Sequence, residues 1–363
     1  MNKIISIFTC IILLFPTFGQ LINGDARLDV YLPLLKNKRI GLVCNHTSIV
    51  NTTHLADTLL NYGVNLTMIM TPEHGLKGTV KEGELIDGIT YYNQIPVYSL
   101  YGNQKKPTIQ MMNNVDIILF DLQDVGCRFY TYISTLEYVM QATLEYGKQI
   151  IVLDRPNPNN YVSGPVLEKK YKSFVGMQSI PVCYGLTIGE YAMMINQEHW
   201  LDSNRVCNLI VIEMINYNRD SIYTLTIPPS PNLRSKQAIK NYPSLCFFEG
   251  TPVSVGRGTS TPFEIIGFYD DKKEIIYPKS IKIDSKQLKI EYLIDYYNYY
   301  KTTYGKEKAE REFFNKMFVL LSGTDKLKND IINGKSAKKI RKSWQKDLEK
   351  YETIRKKYVI YQR

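Results

Sequence analysis

The sequence predicts an α/β protein. A Rossmann-like, mostly parallel sheet forms an N-terminal domain over residues 20–163, and an α+β C-terminal domain follows over 164–363. Two observations carry this reading. Apolar runs of strand length recur without polar alternation, the mark of strands buried on both faces. Segments of helical period separate them, as the crossovers of a parallel sheet require. From about Gly164 the pattern becomes irregular, with long loops rich in Pro, Gly, Ser and Thr.

Met1-Asn2-Lys3 precedes the apolar run Ile4 to Phe18, and Thr17 and Gly19 stand at the −3 and −1 positions of a cut before Gln20. This is the pattern of a cleaved secretory signal over residues 1–19, placing the protein outside the cytoplasm, secreted or periplasmic, with no stable membrane span after cleavage. An uncleaved N-terminal anchor is the alternative. Strands are predicted at Arg39–Cys44, Asn65–Met70, Val115–Phe120 and Gln149–Leu153, and helices at Thr53–Tyr62 and Tyr132–Tyr146, the second closed by Gly147. Thr187-Ile188-Gly189-Glu190 reads as a capping box opening a helix to about Trp200, with Glu190 structural. Residues 326–363 are Lys-rich and predict surface helices and an end strand.

Composition removes several function classes. The charge is +10 from 45 basic and 35 acidic residues, yet there is no basic-aromatic stripe, zinc-finger spacing or RNA-binding signature, so no nucleic-acid partner is expected. Four histidines and no HExxH motif argue against a metal site. The first strand is followed by Asn45-His46-Thr47-Ser48 rather than G-x-G-x-x-G, and no P-loop occurs, so no nucleotide cofactor is expected. G-x-S-x-G is absent, which excludes a serine nucleophile elbow. Five cysteines remain after the leader, so at least one is free.

Ligands of open α/β sheets bind beyond the carboxyl ends of the strands. The four loops expected there are Asn45-His46-Thr47-Ser48, Thr71-Pro72-Glu73-His74-Gly75, the Asp121–Arg128 segment containing Asp124, and Asp154-Arg155-Pro156-Asn157. Their carboxylates, amides and histidines converge on one edge. Glu73, between a rigid Pro and His74, suits a proton donor near neutral pH, although the tripeptide alone equally fits a Glu binding a loop amide. Glu82 and Glu84 follow in a Gly-containing loop, either returning to the crevice as a second carboxylate or simply solvated. Arg128, close to a helix start, is disfavoured electrostatically unless an anion lies nearby. Tyr130 begins the same helix. Gly256-Arg257-Gly258-Thr259 has the makings of an anion nest beside a guanidinium, or of a plain turn.

Taken together, these loops resemble the NamZ-type exo-β-N-acetylmuramidases. The resemblance rests on Thr71–Gly75, Asp121–Tyr132, Asp154–Pro158, Gly185–Glu190, Pro229–Leu233 (with Asn232), Phe248–Thr251 (with Glu249) and Gly256–Thr259, seven motifs in order across nearly all of the mature chain. It implies a hydrolase that releases N-acetylmuramic acid from the non-reducing end of peptidoglycan fragments, with a smaller second domain closing the cleft. It maps the family's Glu-His-Gly motif onto Glu73, His74 and Gly75 and makes Glu73 the expected acid; Pro72 stands where the family often has Asn. Glu84 and Asp124 are the candidates for its catalytic partner. Asn45, His46, Arg128, Tyr130, Asp154, Arg155, Asn232, Glu249 and Arg257 are the expected substrate contacts, Arg128 or Arg257 answering the lactyl carboxylate of muramic acid. A non-catalytic muropeptide- or sugar-binding protein is the alternative from another class.

Overall fold

The computed structural model describes residues 19–81, 83–84, 88–220, 223–270 and 274–361. The expected signal at 1–19 therefore lies outside the described residues but for Gly19. Among the described residues no helix is long and apolar enough to cross a membrane.

Seven strands form one sheet in the spatial order 208–212, 149–153, 117–121, 39–44, 65–71, 95–99 and 90–92, all parallel except the last, which pairs antiparallel at the edge. Leaving that edge strand aside, the chain starts in the middle, runs out one side and returns to fill the other. This is the doubly wound order, with its switch between 39–44 and 117–121. The four strands predicted from apolar runs are there because both faces are buried. Ile40, Leu42, Ile117 and Leu119 enter a core on one face. Val43, Ile118, Phe120 and Val152 enter a core on the other. The second core continues into the C-terminal part through Tyr242, Phe247, Tyr296 and Phe313, so the two halves share apolar packing.

Three expectations need correction. The helix after the first strand is Leu55–Asn61, because Thr53-His54 pairs with Ile49-Val50 and His54 Nδ1 accepts the Ala56 N–H at 3.2 Å. The boundary at 163/164 falls inside the sheet-bearing part: Asn208–Ile212 pairs with Gln149–Leu153, and helix Ile188–Gln197 packs on both. The end strand expected in 326–363 does not form among the described residues. Helices Lys326–Ile332, Ala337–Ser343 and Gln345–Arg355 fill the segment, and its last apolar residues anchor the tail instead. The Tyr361 hydroxyl donates to Asp154 at 2.6 Å and the Ile360 N–H to Glu190 at 3.0 Å. Among the described residues, the C-terminal part holds six helices from Glu291 onward and the hairpin of Ile265–Tyr269 with Ile275–Ser280.

Helix Tyr132–Glu145 carries a buried carboxylate with a consequence for stability. Glu137 accepts from Gln178 Nε2 at 2.6 Å and from the Tyr191 hydroxyl at 3.5 Å, and burial pushes its carboxyl up to about 7. A carboxyl whose folded pKa exceeds its unfolded one holds a proton that the unfolded chain has released. Its stabilisation is complete below about 4.5 and is lost as pH rises through about 7. The thermal midpoint is therefore expected to be lower at pH 8 than at pH 5.5, and Glu137→Gln to flatten part of that fall. A midpoint that rises over this interval contradicts the account.

Candidate active site

Thr71 is the last residue of its strand, and the chain turns sharply after it. Pro72 accepts the Gly75 N–H at 3.1 Å, and His74 and Gly75 both adopt positive φ, 73° and 71°. For a non-glycine residue that conformation is costly. It is held by two bonds to Val80: the Val80 N–H donates to the His74 carbonyl at 3.3 Å, and His74 Nδ1 meets the Val80 carbonyl at 2.8 Å. A carbonyl only accepts, so Nδ1 carries the hydrogen and Nε2 is the basic nitrogen of the neutral ring. Glu73 is half-buried; Thr131 donates its hydroxyl to Oε2 at 3.1 Å and the Gly83 N–H reaches Oε1 at 3.3 Å. Gly78 closes this loop, since a Cβ there meets His46 Nδ1 at 2.0 Å.

Glu73 and His74 open into a cleft between the sheet edge and the C-terminal loops, which Tyr130, Asn232, Glu249 and Arg257 also line. The Pro228–Asn232 loop enters it because three side chains hold its carbonyls. His46 Nε2 donates to the Pro228 carbonyl at 2.8 Å, and the hydroxyls of Tyr130 and Tyr132 donate to that of Pro229 at 2.9 and 3.3 Å. Arg257 stands on a turn closed by the Thr259 N–H on the Gly256 carbonyl at 3.1 Å. Its guanidinium bonds Glu249 Oε1 at 2.5 and 2.9 Å and lies 5.3 Å from the centre of the Phe263 ring.

The remaining expected site residues are used otherwise. Arg128 is fully buried and donates to the carbonyls of Pro165, Ile180 and Leu321 at 2.7 to 2.9 Å, so backbone dipoles, not an anion, answer its charge. Arg155 pairs with Asp121 and Asp25 at 2.5 and 2.6 Å in a buried cluster. Asp154 is buried and accepts from Thr187, Gly189 and Tyr361, tying the start of helix Ile188–Gln197 to the tail. Asn45 Oδ1 accepts from Thr47, and its amide donates to the Tyr132 hydroxyl at 2.9 Å, shaping the first loop from inside. His46 holds the Pro228 loop, and burial lowers its ring pKa. Asp124 is buried beneath the cleft, where burial pushes its carboxyl up to about 6; its Oδ2 accepts the Gly126 N–H and the Tyr184 hydroxyl. Glu84 is exposed and accepts the Lys81 N–H at 3.3 Å. Neither carboxylate lines the cleft beside Glu73, whereas His74 does. Glu82 lies outside the described residues.

Sequence reasoning missed Thr131, Tyr101 and the Phe174-Val175 pair, all of which line the cleft. Thr131 lay inside a quoted motif, and its place one residue before helix Tyr132–Glu145 was the available signal. Cys44, Cys127, Cys183, Cys207 and Cys246 are all buried free thiols. Among the described residues no group of three or more His, Cys, Asp or Glu is arranged to hold a metal ion.

Two family models cover the chain: the N-terminal part of exo-β-N-acetylmuramidase NamZ matches residues 40–237, and its C-terminal part matches 240–284 and 277–361. Their division agrees with a sheet-bearing part that runs past residue 212. Peptidoglycan β-N-acetylmuramidase NamZ of Bacillus subtilis (strain 168) is 35% identical over 93% of this chain and 90% of its own length. Two crystal structures of DUF1343 family proteins from Bacteroides fragilis NCTC 9343 superpose with TM-scores of 0.82 each. One is 39% identical over 95% of this chain, the other 29% identical over 94%, and each is covered over 99% of its own length.

Proposed function

The chain belongs to the exo-β-N-acetylmuramidase NamZ family and is a glycosidase, and on that premise we propose that it releases N-acetylmuramic acid from the non-reducing end of peptidoglycan fragments, with Glu73 as general acid. The observation that supports this most is the strained Pro72–Gly75 turn, which brings a carboxyl and an imidazole into one cleft. Glycoside hydrolysis needs an acid on the leaving oxygen and a second group that activates the attacking water. Glu73 gives its proton to the glycosidic oxygen as the bond from the anomeric carbon breaks. Water adds to that carbon, and His74 Nε2 accepts the water's proton. Glu84 is solvated and Asp124 sits beneath the cleft, so His74 takes the partner's place. Arg257 offers its charge to the lactyl carboxylate, the group that separates muramic acid from glucosamine. The expected leader would deliver the enzyme to the compartment that holds its substrate.

The test is a chromogenic β-N-acetylmuramide beside the matching N-acetylglucosaminide. Release from the muramide alone is expected. Arg257→Ala should raise KM for the muramide about 10- to 100-fold, the worth of a charge-assisted hydrogen bond. Equal cleavage of both substrates rules out lactyl reading, and cleavage of neither, with the muramic-acid disaccharide still bound, makes the protein a receptor.

A further inference from the structure

Thr71 and Ser99 are paired partners on adjacent parallel strands, and the Leu100 N–H donates to the Thr71 carbonyl at 2.8 Å. Tyr101 therefore leaves the sheet two residues past Ser99, just as Glu73 leaves it two residues past Thr71. Tyr101 and Glu73 both line the cleft.

Phe174 meets that ring, with centroids 6.1 Å apart and planes inclined by 52°. It stands at the tip of a tight hairpin closed in both directions, Ser173 N–H to the Gly176 carbonyl and Gly176 N–H to the Ser173 carbonyl, each 3.0 Å. The two tip residues are Phe174 and Val175, both half-buried and both lining the cleft. Turn tips favour Gly, Asn, Asp and Ser; here Val175 packs against the core and Phe174 against Tyr138 and Tyr101, and both remain part of the cleft wall. Phe174 is also held in place, stacked on Tyr138 at 6.2 Å and 23° with Lys105 Nζ 5.4 Å from its centre. Nothing in the fold of the sheet requires this arrangement.

We propose that Tyr101 and the Phe174-Val175 tip form the subsite for the leaving-side sugar, a neutral N-acetylhexosamine whose apolar face packs on the two rings. The proposal rests on the muramidase reading above. The acid lies against the glycosidic oxygen, between the two sugars, so with the carboxylate-bearing sugar on the Arg257 side the wall of Tyr101 and Phe174 falls to the leaving sugar. The carboxylate-bearing sugar goes to the part of the cleft built by the loops of Glu249 and Arg257. Rigid aromatic walls of this kind give affinity at little entropic cost.

The experiment uses the full mature chain with the N-acetylmuramyl-N-acetylglucosamine disaccharide as substrate and free N-acetylmuramic acid as inhibitor. Phe174→Ala is expected to lower kcat/KM for the disaccharide about tenfold, the worth of one well-placed ring. The inhibition constant of the free monosaccharide, which fills only the far side, should stay within about twofold. Phe174→Trp keeps a ring and should restore the disaccharide. An unchanged kcat/KM overturns the proposal, as does a parallel rise in the inhibition constant. Should the wild type cleave no muramide, the functional reading falls by itself. Calorimetric binding of the disaccharide and the monosaccharide to wild type and Phe174→Ala then still decides the subsite.

Discussion

Glu73→Gln is expected to lower kcat/KM on the N-acetylmuramyl-N-acetylglucosamine disaccharide about a thousandfold, within the range a positioned general acid contributes, while the protein stays folded. The fold survives because the replacement is isosteric and half-buried, and its carbonyl oxygen can still accept from the Gly83 N–H or from Thr131. The diagnostic lies in the leaving group. A sugar hydroxyl leaves badly unless it is protonated, whereas a nitrophenolate departs unaided. The same substitution should therefore cost far less on a nitrophenyl muramide than on the disaccharide. Equal losses on both substrates mean that Glu73 binds rather than donates, and full activity on the disaccharide removes it from the chemistry. A parallel His74→Gln variant should lose rate on both substrates alike, since activating water does not depend on what departs.

The central strands were legible because burial on both faces leaves continuous apolar runs such as Arg39–Cys44 and Gln149–Leu153, a pattern that little else produces. The edge was not. Ile95–Ser99 contains Pro96 and buries only Ile95 and Val97, and its partner Thr90–Tyr92 is largely exposed, so neither forms a continuous apolar run. The cleft was legible in part for a related reason. Polar residues clustered at the carboxyl ends of strands pointed to the right edge of the sheet, and Glu73, His74, Tyr130, Asn232, Glu249 and Arg257 meet there. Yet the same loops must satisfy their own buried backbone, and a side chain that does so has the same composition as one that meets a ligand. Arg128, Asn45 and Asp154 are of the first kind, and only the hydrogen-bond partners separate the two. Phe174 was hidden by the opposite ambiguity, since an isolated aromatic in an irregular stretch reads as core until its turn is seen.

Arg155→Met is expected to destabilise the protein by about 3–5 kcal/mol at pH 8, a large part of a typical domain's total. Arg155 is only 5% exposed and neutralises two carboxylates, Asp121 at the end of the sheet's switch-point strand and Asp25 in the segment that crosses its edge. Removing the guanidinium leaves both charges in an apolar setting with little water. The cost is mostly that of the stranded carboxylates, which gives the prediction a second arm. Burial already pushes the Asp25 carboxyl up to about 6 and Arg155 holds it down; without the guanidinium it rises further, so the folded state gains a proton as pH falls, and part of the lost stability should return at pH 5. Adding Asp25→Asn and Asp121→Asn should restore more, because neutral amides tolerate burial where unpaired carboxylates do not. Urea unfolding at the two pH values measures both arms. An Arg155→Met protein with wild-type stability and a raised KM alone would return this residue to the substrate. A midpoint that drops at pH 8, recovers at pH 5 and recovers again in the triple variant fixes it as the clasp that holds the Asp25 segment to the sheet from which the catalytic loops emerge.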